Sequence, residues 1–170
     1  LERGKVFLNE MRKQFPDVLV CHSNHGSMHY RRAKAHGIPV QLVRTYRDIV
    51  FPGLKVNWNW ADSWKVNTPL GKVLFKHQSA GEILADAAHN GCNLVVGHEH
   101  GKYAVSYAAS SAHLYYGVYS GCLIDKDSLA FAYGRHSRNK PIIGCTVILQ
   151  GRPVLVPMVL RKDGRWIGKL

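Results

Sequence analysis

Acidic residues are scarce in this chain: 11 Asp and Glu stand against 23 Lys and Arg over 170 residues, a formal charge of +12 with histidine neutral. Such a balance suits nucleic acid, another phosphorylated substrate or a plain cationic surface, and alone it selects none of them. Long hydrophobic runs are missing as well. No stretch reaches the roughly 18 apolar residues of a membrane-spanning helix, so no membrane role is expected. The opening residues Leu1-Glu2-Arg3-Gly4-Lys5 carry no apolar core or cleavage pattern of a secretory leader. Closely spaced cysteine pairs are absent too, which excludes a zinc knuckle. Cys21, Cys92, Cys122 and Cys145 are expected to be buried thiols in a reducing compartment. What the chain does have is histidine: 10 imidazoles, almost as many as all its carboxylates. At 46% hydrophobic and 20% charged residues, with a mean hydropathy of −0.17, it reads as a globular protein.

Val6, Phe7, Met11 and Phe15 recur at helical spacing before Pro16, and Val18-Leu19-Val20-Cys21 suits a buried strand. Helices are expected over Met28–His36 and Val40–Phe51. The segment from Pro52 to Pro69 holds Trp58, Trp60 and Trp64 and reads as an irregular excursion with one short strand. Lys72–Phe75 and Asn93–Val96 are further strand candidates, separated by a helix over Ser79–Asn90 that ends at Gly91. Beyond Gly101 the pattern turns β-rich, at Tyr103–Ala109, His113–Tyr119, Ile142–Leu149 and Val154–Val159. Gln150-Gly151-Arg152-Pro153 forms a turn between the last two. The expectation is one α/β (α+β) domain over residues 1–170, with helix–strand alternation first and antiparallel strands last.

Three of the apolar strands run into histidine-bearing loops: Asn24-His25, His77, and His98-Glu99-His100. Side chains at the carboxyl ends of strands in an open α/β sheet converge on one crevice. Imidazole nitrogens and an amide oxygen gathered there form the donor set of a divalent transition metal. At a strand end residues two apart share a face, so His98 and His100 are expected to point together and to serve two neighbouring ions, with Glu99 pointing away. His36 and His89 fall near helix ends, where capping accounts for them. His22 and His29 flank the first loop and are expected in hydrogen-bonding roles.

Ser23-Asn24-His25-Gly26, the strand before His77, and Gly97-His98-Glu99-His100 resemble, in this order, the later motifs of the calcineurin-like metallophosphoesterases. Those motifs read Gly-Asn-His-Asp/Glu, a lone strand-end His, and Gly-His-x-His. Tyr119-Ser120-Gly121-Cys122-Leu123 is similar to the Asn-Pro-Gly-Ser segment that follows them. The likeness spans about Val18 to Leu123, and the sequence is similar in style to bacteriophage members of the family. The resemblance implies a sandwich of two mixed β-sheets flanked by helices. It also implies that Asn24, His77 and His98 bind one ion and His100 a second (Mn, Fe or Zn), with His25 as the catalytic imidazole. Two such ions about 3.5–4 Å apart clamp a phosphoryl group and activate hydroxide for in-line attack. A protonated imidazole on the far side stabilises or protonates the leaving alkoxide. The implied activity is hydrolysis of a phosphodiester or phosphomonoester, nucleic acid included, in the cytoplasm (the host's, for a phage protein).

The chain departs from that pattern in three places. Ser23 replaces a glycine, and Gly26 replaces the acidic residue that orients the catalytic histidine. The acidic motifs Asp-x-His and Gly-Asp-x-x-Asp do not precede Asn24, because Glu10 and Asp17 fall at the wrong ends of their elements. Downstream, the close pair Asp125 and Asp127 lacks flanking Gly and His. The chain is therefore expected to be the C-terminal part of a longer domain, its bridging carboxylate supplied by a further segment or another chain. Two cations held by neutral ligands alone repel each other without compensation. Arg31 and Arg32 follow the Asn-His loop and are candidates for pairing with a substrate phosphate. The run Arg135–Lys140, with Arg161, Lys162 and Arg165, is a candidate surface for tracking a nucleic-acid backbone. The alternative expectation is a non-catalytic nucleic-acid- or protein-binding module that keeps the fold.

Overall fold

The first helix, α1 (Glu2–Gln14), stops just short of Pro16, whose ring and missing N–H cannot continue it. The structure is a computed structural model that describes residues 2–124 and 140–169, so Asp125, Asp127 and most of the basic run from Arg135 lie outside the described residues. By its internal contacts the chain divides into two compact units, Leu1–Trp64 and Lys65–Leu170. Its class is mixed α and β, with helices and a mixed parallel–antiparallel sheet. Among the described residues no helix is long and apolar enough to cross a membrane.

In the first unit, β1 (Asp17–Cys21) pairs in parallel with β2 (Asn57–Ala61), Val18 opposite Trp58 and Val20 opposite Trp60. The connection carries α2 (Met28–Ala35), a 3-10 turn at Val40–Leu42 and α3 (Tyr46–Val50). Val50, Phe51 and Trp58 form the buried centre, with Leu8 and Met11 from α1 and Val18 and Val20 from β1 packed around it. Phe51 meets Trp58 edge-on at 5.3 Å, the approach that aromatic quadrupoles favour. The Trp58 indole N–H donates to the Phe15 carbonyl and that of Trp64 to the Val20 carbonyl, so neither large ring leaves a donor unmatched.

Three expectations change in this unit. The stripe of α1 that meets the core is Leu8 and Met11, one turn apart, whereas Val6, Phe7 and Phe15 are more than half exposed. The single helix expected over 40–51 is broken: Val43 is extended, and Thr45 restarts the helix by accepting the Asp48 N–H at 3.1 Å. The tryptophan-rich excursion holds two strands, β2 and β3 (Ser63–Thr68), because Asn57-Trp58-Asn59 alternates with period two and turns Trp58 inward.

The second unit is organised on a five-stranded sheet that β3 joins at one edge, in the order β3, β4 (Gly71–Lys76), β5 (Asn93–Val96), β7 (Leu114–Ser120) and β6 (Tyr103–Ala109). The β4–β5 and β5–β7 pairs are parallel, and β6 lies antiparallel to β7. Helix α4 (Ile83–His89) starts at Glu82, which accepts the Ala85 N–H, and crosses from β4 to β5. Its Ile83 and Ala87 pack with Leu74, Leu94 and Val96 on one face of the sheet. On the other face Val73, Val95, Tyr116 and Val118 meet Ile148 and Leu155 of the hairpin β8 (Gly144–Leu149) and β9 (Arg152–Pro157). Both faces of β5 are therefore covered, and its sequence is a continuous apolar run rather than an alternation.

Two glycines are required by this packing. The hairpin turn has Gln150 and Gly151 at φ 52° and 86°, the positive pair that a two-residue loop matched to strand twist demands. Its Gly151 carbonyl accepts the Tyr116 hydroxyl at 3.0 Å, and burial pushes that phenol up to about 12. At Gly117 a Cβ would stand 2.7 Å from Ile83 Cγ1, so α4 rests directly on the backbone of β7.

Candidate functional site

His77 and His98 become neighbours through strand register. Lys76, the last residue of β4, pairs with Val96, the last of β5, so the two carboxyl ends are level. His77 follows the first strand and Gly97-His98 the second. His98 Nδ1 lies 3.0 Å from His77 Nε2, with ring centroids 4.9 Å apart and planes at 79°. The chain beyond β5 is not extended, which corrects the expected alternation of His98 and His100. His98 has φ 63°, the Glu99 N–H donates to the Gly97 carbonyl, and the His100 N–H donates to the His98 carbonyl. These are consecutive three-residue turns. The loop is pinned at both ends, by the Ser120 hydroxyl on the Val96 carbonyl and by the Ile142 N–H on the His100 carbonyl.

One imidazole of the pair donates and the other accepts, so their tautomers are correlated. Two nitrogens bound to one ion at about 2.1 Å and at right angles would lie about 3 Å apart, so this spacing fits one edge of a coordination shell. Both rings can offer those nitrogens while neutral, with the shared proton moved to the donor's second nitrogen. Among the described residues no three His, Cys, Asp or Glu side chains gather as a metal cage. The structure thus brings together His77 and His98, and His100 sits two residues further on the same loop, half-buried.

The neighbouring charges are largely matched. Lys76 Nζ lies 2.6 Å from Asp86 Oδ2, whose carboxylate also accepts from the Ser79 hydroxyl, the Ala80 N–H and Asn90 Nδ2. Burial alone would raise the Asp86 pKa, but Lys76, the Ala80 amide and Ser79 together hold it below its ordinary value. Lys102 pairs with Glu99 at 3.7 Å and lies 4.8 Å from the Tyr119 ring centre.

Asn24 and His25 belong to the first unit, on the loop that leaves β1. Ser23 Oγ accepts the Gly26 N–H at 2.8 Å, and the Ser23 carbonyl accepts the Ser27 N–H. A Cβ at residue 26 would approach that same hydroxyl to 3.2 Å. Ser23 and Gly26, the two local departures from the phosphoesterase motif, are thus one feature: a hydroxyl-closed turn in which a larger fourth residue would crowd the closing hydroxyl. Arg31 Nη2 donates to the Asn24 carbonyl at 2.7 Å, so this guanidinium braces the loop, while Arg32 is exposed on α2. His29 Nε2 donates to the Arg44 carbonyl, the hydrogen-bonding role expected of it.

A cleft of about 230 Å³ opens beside this loop, lined by Val20 and Cys21 of β1, His22, Ser23, His25 and Gly26 of the loop, and the rings of Tyr46 and Trp60. Burial pushes the Cys21 thiol up, against the opposing hydrogen bond from the Trp64 backbone. None of the four cysteines forms a disulfide, and only Cys92 is fully buried, the other three being half-buried. Neither Tyr46 nor Trp60 was marked by the sequence as lining a cleft. Thr45 and Asp48 mark a helix start at Tyr46, but no local spacing shows that this ring faces the end of β1.

No protein-family model matches the chain, and neither a curated protein nor a solved structure matches it.

Proposed function

We propose that the protein is a metal-dependent phosphoesterase, with the calcineurin-like sandwich as its fold family and a phosphodiester or phosphomonoester as substrate. The observation that carries this reading is the His77–His98 pair, two imidazole nitrogens 3.0 Å apart on the level ends of adjacent parallel strands. His77 and His98 would hold a divalent transition ion, with His100 on the same loop as a further ligand implied by the motif order. When bound, such an ion supplies Lewis-acid polarisation and a hydroxide-forming site. The chain's own parts are simpler to assign. The turns from Gly97 to His100 fix the second imidazole, and Ser120 and Ile142 hold that loop in place. His25, exposed on its loop, is the group that donates a proton to the leaving oxygen. Arg32 contributes positive charge toward a phosphate, and Arg31 fixes the carbonyl of Asn24. A carboxylate bridging a second ion comes, in this reading, from a further segment or another chain.

The test is hydrolysis of a bis-aryl phosphate by the full-length protein with added manganese. His77→Ala and His98→Ala are each expected to reduce the rate to background. Full activity in either variant would show that the site is misassigned.

One observation favours the alternative, a binding module without turnover. Gly26 occupies the acidic position that would orient His25, and its N–H is committed to Ser23. Salt-sensitive DNA binding with no ester turnover under any divalent metal would select that reading.

A further inference from the structure

The cleft at the end of β1 combines three properties. Its walls are aromatic: Trp60 is half-buried and fixed by Phe51 at 6.4 Å and Trp58 at 6.3 Å, and Tyr46 opens α3 with 39% of its surface exposed. Its rim is polar, formed by His22, Ser23 and His25. No carboxylate lines it, and the chain that builds it, from Val20 to Trp60, carries six Lys and Arg residues against the one carboxylate of Asp48. The volume of about 230 Å³ is below the roughly 300–1,000 Å³ of pockets that enclose drug-sized ligands, so it suits one ring system with the rest of the ligand outside.

A flat ring attached to an anionic group is the chemistry that satisfies all three. We propose that this cleft takes the base of a nucleotide, seated against Tyr46 and Trp60, with its phosphate outward beside His22 and His25. Stacking on aromatic walls is tolerant of base identity, so sequence preference should be weak. That the nucleotide is a substrate, rather than only a ligand, rests on the phosphoesterase reading. The nucleotide is either free or one unit of a single strand, and the two share this recognition chemistry.

The test is fluorescence anisotropy on the full-length protein in EDTA at fixed salt. The probes are a labelled oligothymidylate and an abasic oligomer of equal length. The base-bearing strand is expected to bind about tenfold more tightly. Tyr46→Ala should bring it to the abasic level, and Tyr46→Phe, which keeps the ring, should retain the preference. Competition by thymidine monophosphate assigns the site to free nucleotides, and competition by oligomers alone assigns it to a strand; both support the proposal. Equal binding of the two oligomers by the unmodified protein overturns it. Turnover of an aryl phosphate without base preference would remove the cleft assignment and leave the phosphoesterase reading. Base preference with no turnover of any ester would do the reverse.

Discussion

The first unit gathers its buried side chains into one mainly aromatic cluster of Val50, Phe51 and Trp58 around a two-stranded sheet. The second covers both faces of β5, with α4 on one side and the β8–β9 hairpin on the other, and ties β4 to α4 with the enclosed Lys76–Asp86 pair. Burial in the first unit is one-sided, and α1 leaves Val6 at 65% and Phe7 at 61% exposed. The difference separates a sheet enclosed on both faces from a unit with a smaller buried centre. The imidazole pair stands on the strands most completely enclosed, whereas the aromatic cleft belongs to the unit with the thinner core. Ligand-binding segments are commonly drawn from regions of lower local stability.

If the comparison holds, the largest losses come from the second unit. Asp86→Ala leaves Lys76, whose side chain is only 19% exposed, without its partner, and is expected to cost about 3–5 kcal/mol in urea denaturation followed by circular dichroism. The same carboxylate gives a pH signature. Its folded pKa lies below the ordinary 3.8, so the unfolded state takes up the proton first as pH falls. The stability it contributes is complete above that value and is lost progressively below it, and Asp86→Ala should remove that part of the acid transition. Leu94→Ala, at a fully enclosed position, should cost about 2–5 kcal/mol.

Next comes Gly117→Ala, which drives a methyl into Ile83 and should cost about 1–3 kcal/mol, read as a shift of the urea midpoint. The smallest effect is expected for Phe7→Ser, within about 0.5 kcal/mol, because that ring already faces solvent. A loss as large as that of Leu94→Ala would show that the exposed face of α1 is covered in solution and would break the contrast. Tryptophan fluorescence sharpens it further. Trp58, Trp60 and Trp64 lie in the first unit and Trp166 in the second, so in a Trp166→Phe variant the emission change should precede the loss of sheet signal along a urea gradient.

The legible parts of the molecule were those where burial writes itself into the sequence. Leu94, Val95 and Val96 face alternate sides of a covered sheet, so β5 stands out as an apolar run, and the histidine after it marks a strand end. Pro16 and the Gln150-Gly151 turn were readable for steric reasons local to the chain. The break before α3 was not, because the Thr45 cap competes with a continuous apolar periodicity. The path of residues 97–100 was hidden for another reason: successive tight turns leave no periodic trace. Likewise the edge contact between His77 and His98 depends on β4–β5 register, a relation across twenty-one residues that no local pattern encodes. The wall formed by Tyr46 is of the same kind.

The positive φ of His98 has a consequence for recognising this arrangement in other chains. Outside glycine, the left-handed region is populated chiefly by Asn, Asp and His. A residue at this position that must both turn the backbone and offer a hydrogen-bonding atom is therefore drawn from a very short alphabet. A sequence profile for the loop should weight position 98 toward those types and penalise β-branched residues, even where they would preserve polarity. Position 100 carries no such conformational filter. Variation at these two positions would thus be informative in unequal measure, and an asparagine at 98 would count as a conservative change in shape although it removes the imidazole.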